Sequence, residues 1–101
     1  MKKIDNLVWV IYDIVSDKIR NKIITASKKA GLYRVQKSVF LGSMNKNDLD
    51  ELSLVVDSLI NKKKDSVYIF PMCDADFKKV VLKGQAFDKK MVTDEIKCLL
   101  I

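Results

Sequence analysis

Apolar and polar positions along the chain fall into blocks, each with its own period. Residues 7–14, LVWVIYDI, are apolar or aromatic everywhere except Asp13. A run so rich in β-branched and aromatic residues predicts a central strand buried on both faces. Leu7, Trp9 and Ile11 point to one side and Val8, Val10 and Tyr12 to the other. The period then lengthens. In SDKIRNKIITASKKAG, residues 16–31, Ile19, Ile23, Ala26 and Ala30 form a stripe at helical spacing; Ser16 or Asp17 can cap its start and Gly31 ends it. Residues 33–44, YRVQKSVFLGSM, alternate as extended chain with Gly42 as a bend or bulge, and one bent strand or a pair of strands fits equally well.

A second helix is predicted over residues 46–62, where Leu49, Leu52, Val56, Leu59 and Ile60 recur at helical spacing after an Asn45 or Asn47 cap. Lys62, Lys63 and Lys64 close it as complements to its carbonyl end. DSVYIFPMC, residues 65–73, is a further strand, with Pro71 pushing its end towards a sheet edge. KKVVLKG, residues 78–84, and IKCLLI, residues 96–101, look like short additional strands.

Strand, helix, extended stretch, helix and strand in that order predict an α+β fold: a ferredoxin-like βαββαβ sandwich with extra C-terminal strands, one domain over residues 1–101. Two helices cover only one face of its sheet, yet the first strand is apolar on both. The economical cover for the second face is another copy of the chain, giving a homodimer through the sheet face to which the region at about 85–101 contributes. No stretch approaches the ~20 apolar residues of a membrane span, and the N-terminus has no small-residue cleavage site, so a cytoplasmic protein without a membrane partner is expected.

Composition narrows the chemistry. Histidine is absent, which removes the commonest general acid–base and every Ser/His or Cys/His nucleophile pair. Hydrolysis would need carboxylates and a metal. Cys73 and Cys98 lack metal-ligand spacing and are read as small core residues in a reducing compartment. The formal net charge is +6, and residues 1–47 hold ten basic and three acidic side chains against nine and ten in residues 48–101. An excess concentrated around Asp13 points to a polyanion, nucleic acid above all.

Two readings of Asp13 stand at this level. Near a two-fold axis, two Asp13 carboxylates could hold one Mg²⁺ and activate water towards a phosphodiester. Alternatively, Asp13 caps the following turn, accepting from the backbone N–H groups near Val15 and Ser16.

Taken together, YDI with Arg20 seven residues after its Asp, then GLYRVQKSVFLG and DSVYIFPM, resemble the small CRISPR-associated endoribonuclease family, the non-integrase member of the universal pair of CRISPR adaptation proteins. The likeness runs from about residue 7 to residue 84, and RVQKSVFLG is its most specific part. It implies a ferredoxin-like homodimer with Asp13 as metal ligand and catalytic residue at the interface, and Mg²⁺ or Mn²⁺ as cofactor. It also implies nuclease activity on RNA or double-stranded DNA, and a place as the central dimer of a spacer-integration complex beside the CRISPR integrase subunit. By the same resemblance Arg20, Lys22, Arg34 and Lys37 contact nucleic acid, while Tyr12, Ser38 and Phe40 support the site. Lys22 stands where some members carry arginine, which makes a point-charge contact of a bidentate one. Lys37 stands where an aromatic residue is common. Read as ordinary structure, Arg20 and Lys22 are the solvated face of a helix, Phe40 is core, and Tyr12 packs its ring. A structural DNA-bridging adaptor and a free-standing toxin-type ribonuclease are the rival functions.

Overall fold

A computed structural model of the protein describes residues 6–83. Its elements are β1 (Asn6–Asp13), α1 (Asp17–Lys29), β2 (Tyr33–Gln36), β3 (Val39–Met44), α2 (Lys46–Leu59), β4 (Ser66–Met72) and α3 (Asp74–Lys78). The strands form one antiparallel sheet in the order β2-β3-β1-β4. This is the ferredoxin-like arrangement, with the two-sided apolar strand β1 between β3 and β4.

Local signals set the helix ends. The Ser16 hydroxyl accepts from the Ile19 N–H at 3.4 Å and the Asn45 side chain from the Asp48 N–H at 2.8 Å, so each helix has a side-chain N-cap. Gly31 follows α1 at φ +87°, a left-handed conformation that ends the helix cheaply only at glycine. Helix α2 stops at Leu59, earlier than the sequence suggests, and its last turn contains no basic residue. The three lysines instead occupy a turn held by Asn61, whose carbonyl accepts from the N–H groups of Lys64 (3.0 Å) and Asp65 (2.8 Å) and whose Oδ1 accepts from that of Lys63 (3.0 Å).

Residues 33–44 are two strands. The hairpin turns at Lys37 and Ser38, and its register slips between Arg34 and Gln36, so the bulge lies there and not at Gly42. Gly42 pairs in register with Val8. A Cβ on it would meet Leu32 Cδ2 at 2.7 Å and Leu32 Cα at 3.1 Å; the glycine admits the close pass of the chain entering β2.

One face of the sheet packs against α1 and α2 through Val8, Val10, Tyr12, Ile23, Phe40, Met44, Leu52 and Val56. Full burial of side chains such as Ile23, Val10 and Phe40 stabilises by about 1.5–3 kcal/mol each, which makes this the main core. The opposite face carries Leu7, Trp9 and Leu41, and the chain covers part of it itself. Helix α3 lays Phe77 against Trp9 with ring centroids 5.9 Å apart, beside Phe70 at 6.2 Å. Phe77 and Val80, three residues apart, both meet this cluster while Val81 is exposed. Of the segment read as a strand over 78–84, Lys78 ends α3, Lys79 caps it and residues 80–83 adopt no regular element, while residue 84 lies outside the described residues. Cys73 is likewise exposed and not core: its sulfur caps α3, accepting from the Asp76 N–H at 3.4 Å. The expected strand at 96–101, Cys98 and the region at about 85–101 lie outside the described residues. Among those described, no helix is long and apolar enough to cross a membrane.

Candidate nucleic-acid interface around Asp13

Side chains opposite one another in an antiparallel ladder share a face. Asp13 is opposite Ser66, Ile11 is opposite Tyr68 and Val39, and Trp9 is opposite Phe70 and Leu41. Asp13 therefore belongs to the sheet face away from α1 and α2. Helix α3 shields the Trp9 end of that face. Among the described residues the other end stays open: Tyr68 is 62% exposed, Ile11 and Val39 are half-buried, and Asp13 is exposed beside them. The carboxylate that looks buried in an apolar run is a strand end in solvent, next to an uncovered apolar patch.

The turn after β1 uses a different carboxylate. Asp65, buried just before β4, accepts from the Val15 N–H at 3.0 Å and from the Asn61 N–H at 2.9 Å. The bond from Val15 first, then that from Asn61, hold the Asp65 carboxyl below the usual carboxylate range. Lys64 adds to this and burial opposes it. The cap that the sequence offered to Asp13 thus belongs to Asp65, and Asp13 is released from that structural duty. Sequence reasoning missed Asp65; an acidic residue between a lysine turn and a strand was its only local signal.

Arg20 has one half-buried guanidinium tied at both ends, Nη2 donating to the Ile14 carbonyl at 2.7 Å and Nη1 to the Asp17 carboxylate. With Asp65 on Val15, it fixes both polar groups of the backbone that leaves Asp13. This is more than a solvated helix face. Lys22 is exposed on α1 and lines the groove between α1 and α2 with Asp48 and Glu51, apart from the other site residues.

Tyr12, Arg34, Lys37 and Ser38 do come together. The Tyr12 ring is buried 6.3 Å from Phe40, and its hydroxyl donates to the Lys37 carbonyl at 2.8 Å. The same carbonyl accepts from Arg34 Nη2 at 2.8 Å and Nε at 3.2 Å. The Tyr12 N–H donates to the Ser38 carbonyl at 3.1 Å. Tyr12 therefore both packs and hydrogen-bonds, Arg34 holds the hairpin turn with part of its fork, and the Lys37 side chain is left exposed at the Asp13 end of the sheet. Phe40 is fully buried and offers no platform to a base.

Among the described residues no three Asp, Glu, Cys or His side chains gather as a metal site. The described residues present a carboxylate and a rim of cations to a polyanion, without a complete cage for a hard cation among them.

Comparison with known proteins places this geometry in a family. The model of the CRISPR-associated protein Cas2 family matches residues 6–80. A CRISPR-associated endoribonuclease Cas2 of Desulforudis audaxviator is 42% identical over 69 residues, 68% of this chain and 65% of that protein. Another, of Korarchaeum cryptofilum, is 35% identical over 71 residues, 70% of this chain and 76% of that one. A solved Cas2 structure superimposes with a TM-score of 0.67 at 27% identity, covering 80% of this chain and 88% of its own. The family model, the relatives' sequences and the superposition agree, and the chain belongs to the Cas2 family of CRISPR-associated proteins.

Proposed function

We propose that the chain is the homodimeric, nucleic-acid-binding subunit of a cytoplasmic CRISPR spacer-integration complex, working beside an integrase subunit on double-stranded DNA. A Mg²⁺- or Mn²⁺-dependent phosphodiesterase on DNA or RNA is built into the same dimer at paired Asp13. The observation that carries this reading is Asp13 itself, exposed on the open sheet face beside Ile11, Val39 and Tyr68 and relieved of the turn cap by Asp65.

A second copy laid over the open patch buries its apolar surface and brings a second Asp13 to the first. One carboxylate does not fit a hard divalent ion, whereas two with retained water do. Such an ion supplies Lewis-acid activation of water and phosphodiester. The chain's own residues do the remainder. Asp13 would offer its carboxylate oxygens to the ion, Arg20 and Asp65 hold its backbone, Tyr12 and Arg34 hold the hairpin turn, and Lys37 with the spare guanidinium N–H groups meets phosphate. The names of the two relatives, endoribonucleases, support the nuclease half of the reading.

The absence of a three-ligand cluster among the described residues favours a second reading, a DNA-bridging adaptor without physiological catalysis. One variant separates the two. Asp13→Asn keeps the side chain's shape and removes its charge; it should abolish Mg²⁺-dependent cleavage while leaving the dimer and duplex binding intact. Cleavage at the wild-type rate would end the nuclease assignment. Absence of cleavage in both proteins, with spacer integration preserved, would leave the adaptor.

A further inference from the structure

The lysine turn between α2 and β4 has no part in closing the helix it follows, which leaves its charge unexplained. Lys62 is paired with Asp57 at 3.0 Å, with both side chains largely exposed. Lys63 and Lys64 are exposed and form no side-chain ion pair among the described residues. Their backbone, in contrast, is braced. Asn61 accepts from the N–H groups of Lys63, Lys64 and Asp65, and Asp65 returns a bond to the Asn61 N–H. The other Asp65 oxygen takes the Val15 N–H, two residues beyond Asp13. One carboxylate therefore joins the lysine turn to the end of the strand that carries Asp13.

The separation is bounded by the chain. Lys64 is two residues before Ser66, a span of at most about 7 Å, and Ser66 is the ladder partner of Asp13, about 5 Å away between Cα atoms. The backbone of Lys64 thus lies within about 12 Å of that of Asp13, a distance covered by three or four phosphates of one strand at about 3.4 Å of helix axis each. Two exposed lysines on a braced turn, at that offset from Asp13, match a phosphate backbone. The guanidinium groups of Arg20 and Arg34 have part of their donor capacity committed within the chain, which leaves more of the phosphate contact to these lysines.

We propose that Lys63 and Lys64 form a phosphate-contacting element of the same nucleic-acid surface, engaging the backbone of the strand that passes Asp13. The proposal rests on the nucleic-acid reading above and adds a contact element to it.

The test is the salt dependence of duplex DNA binding by the intact dimer. Three proteins are compared: wild type, the double variant Lys63→Gln/Lys64→Gln, and a control of equal charge change, Lys28→Gln/Lys29→Gln, at the far end of α1. The slope of log affinity against log salt is about 0.9 per phosphate contact, so losing two contacts should flatten it by about 1.8. From roughly 50 mM to 200 mM salt, the first variant should then lose about ten-fold less affinity than wild type, while the control keeps the wild-type slope. A wild-type slope in the Lys63/Lys64 variant, or equal flattening in both variants, overturns the proposal and leaves nucleic-acid binding standing. A wild-type protein whose duplex affinity does not respond to salt removes the broader reading and this element with it.

Discussion

The Lys37 carbonyl accepts from three side-chain donors, two on Arg34 and one on Tyr12, and this redundancy makes a quantitative prediction. Tyr12→Phe removes one hydroxyl donor without orphaning anything: Phe has no group left to satisfy, and the carbonyl keeps the guanidinium. The cost should be about 1 kcal/mol, the net worth of an ordinary hydrogen bond. Arg34→Met removes two donors at an exposed site while the tyrosine bond remains, so it too should cost about 1 kcal/mol or less. With both changes the Lys37 carbonyl loses all three of these side-chain donors, and the double variant should cost about 1 kcal/mol more than the sum of the two single variants. Urea unfolding at one fixed protomer concentration reads the cycle, with unchanged m-values showing that the unfolded reference is the same. If the singles add within about 0.5 kcal/mol, the shared carbonyl does not couple Tyr12 to Arg34. The hairpin turn would then owe its position to the β2–β3 ladder alone.

Three other predictions concern stability. Gly42→Ala should destabilise by about 1–3 kcal/mol, because the new methyl meets Leu32 at its Cα as well as at its flexible tip; a melting temperature equal to wild type would contradict the close approach. Ser27→Ala should stabilise by about 1 kcal/mol, since the Ser27 hydroxyl is buried in α1 with no hydrogen-bond partner among the described residues and alanine is the better helix former; a loss in thermal unfolding would mean the hydroxyl is used. Asp65 predicts a pH dependence. Its folded-state pKa is lowered, so its contribution is complete above the ordinary carboxylate value of about 3.9 and is lost as pH falls through the lowered one. Asp65→Asn should remove that acid limb, and a wild type and variant with parallel stability–pH curves would refute the assignment.

How much of this was legible in the sequence depended on how far apart the cooperating residues lie. The two faces of β1 and the glycine exit of α1 are local and were readable from spacing alone, while each helix cap was narrowed to two candidates, of which Ser16 and Asn45 are the ones used. Gly42 could be seen but not explained, because the reason is Leu32 in another element. The same holds for the turn after β1. Its cap is Asp65, fifty residues from Val15, while Asp13 was the nearer candidate in the chain. Phe77 carried no periodic signal, since it stands alone among charged residues in DADFKK, and only the fold shows that it closes over Trp9. The lysine run was legible as charge but not as position: a helix that ends at Leu59, not at residue 62, moves it from a helix terminus to the Asp13 end of the sheet. Among the candidate site residues, the family resemblance pointed to Asp13, Tyr12, Arg34, Lys37 and Ser38, and these the fold gathers at that end. Lys22 matched by helix position and faces another groove.

The central claim is that Asp13 works as a pair, one from each copy, and subunit mixing tests it most directly. Wild type and Asp13→Asn are unfolded together, refolded in varying ratio and assayed for Mg²⁺-dependent cleavage at constant total protein. If both carboxylates of a dimer are required, activity follows the square of the wild-type fraction, so that an equal mixture keeps about one quarter of the wild-type rate. A linear dependence, with about half the rate retained in the equal mixture, would mean that each Asp13 acts within its own chain and would contradict the paired site.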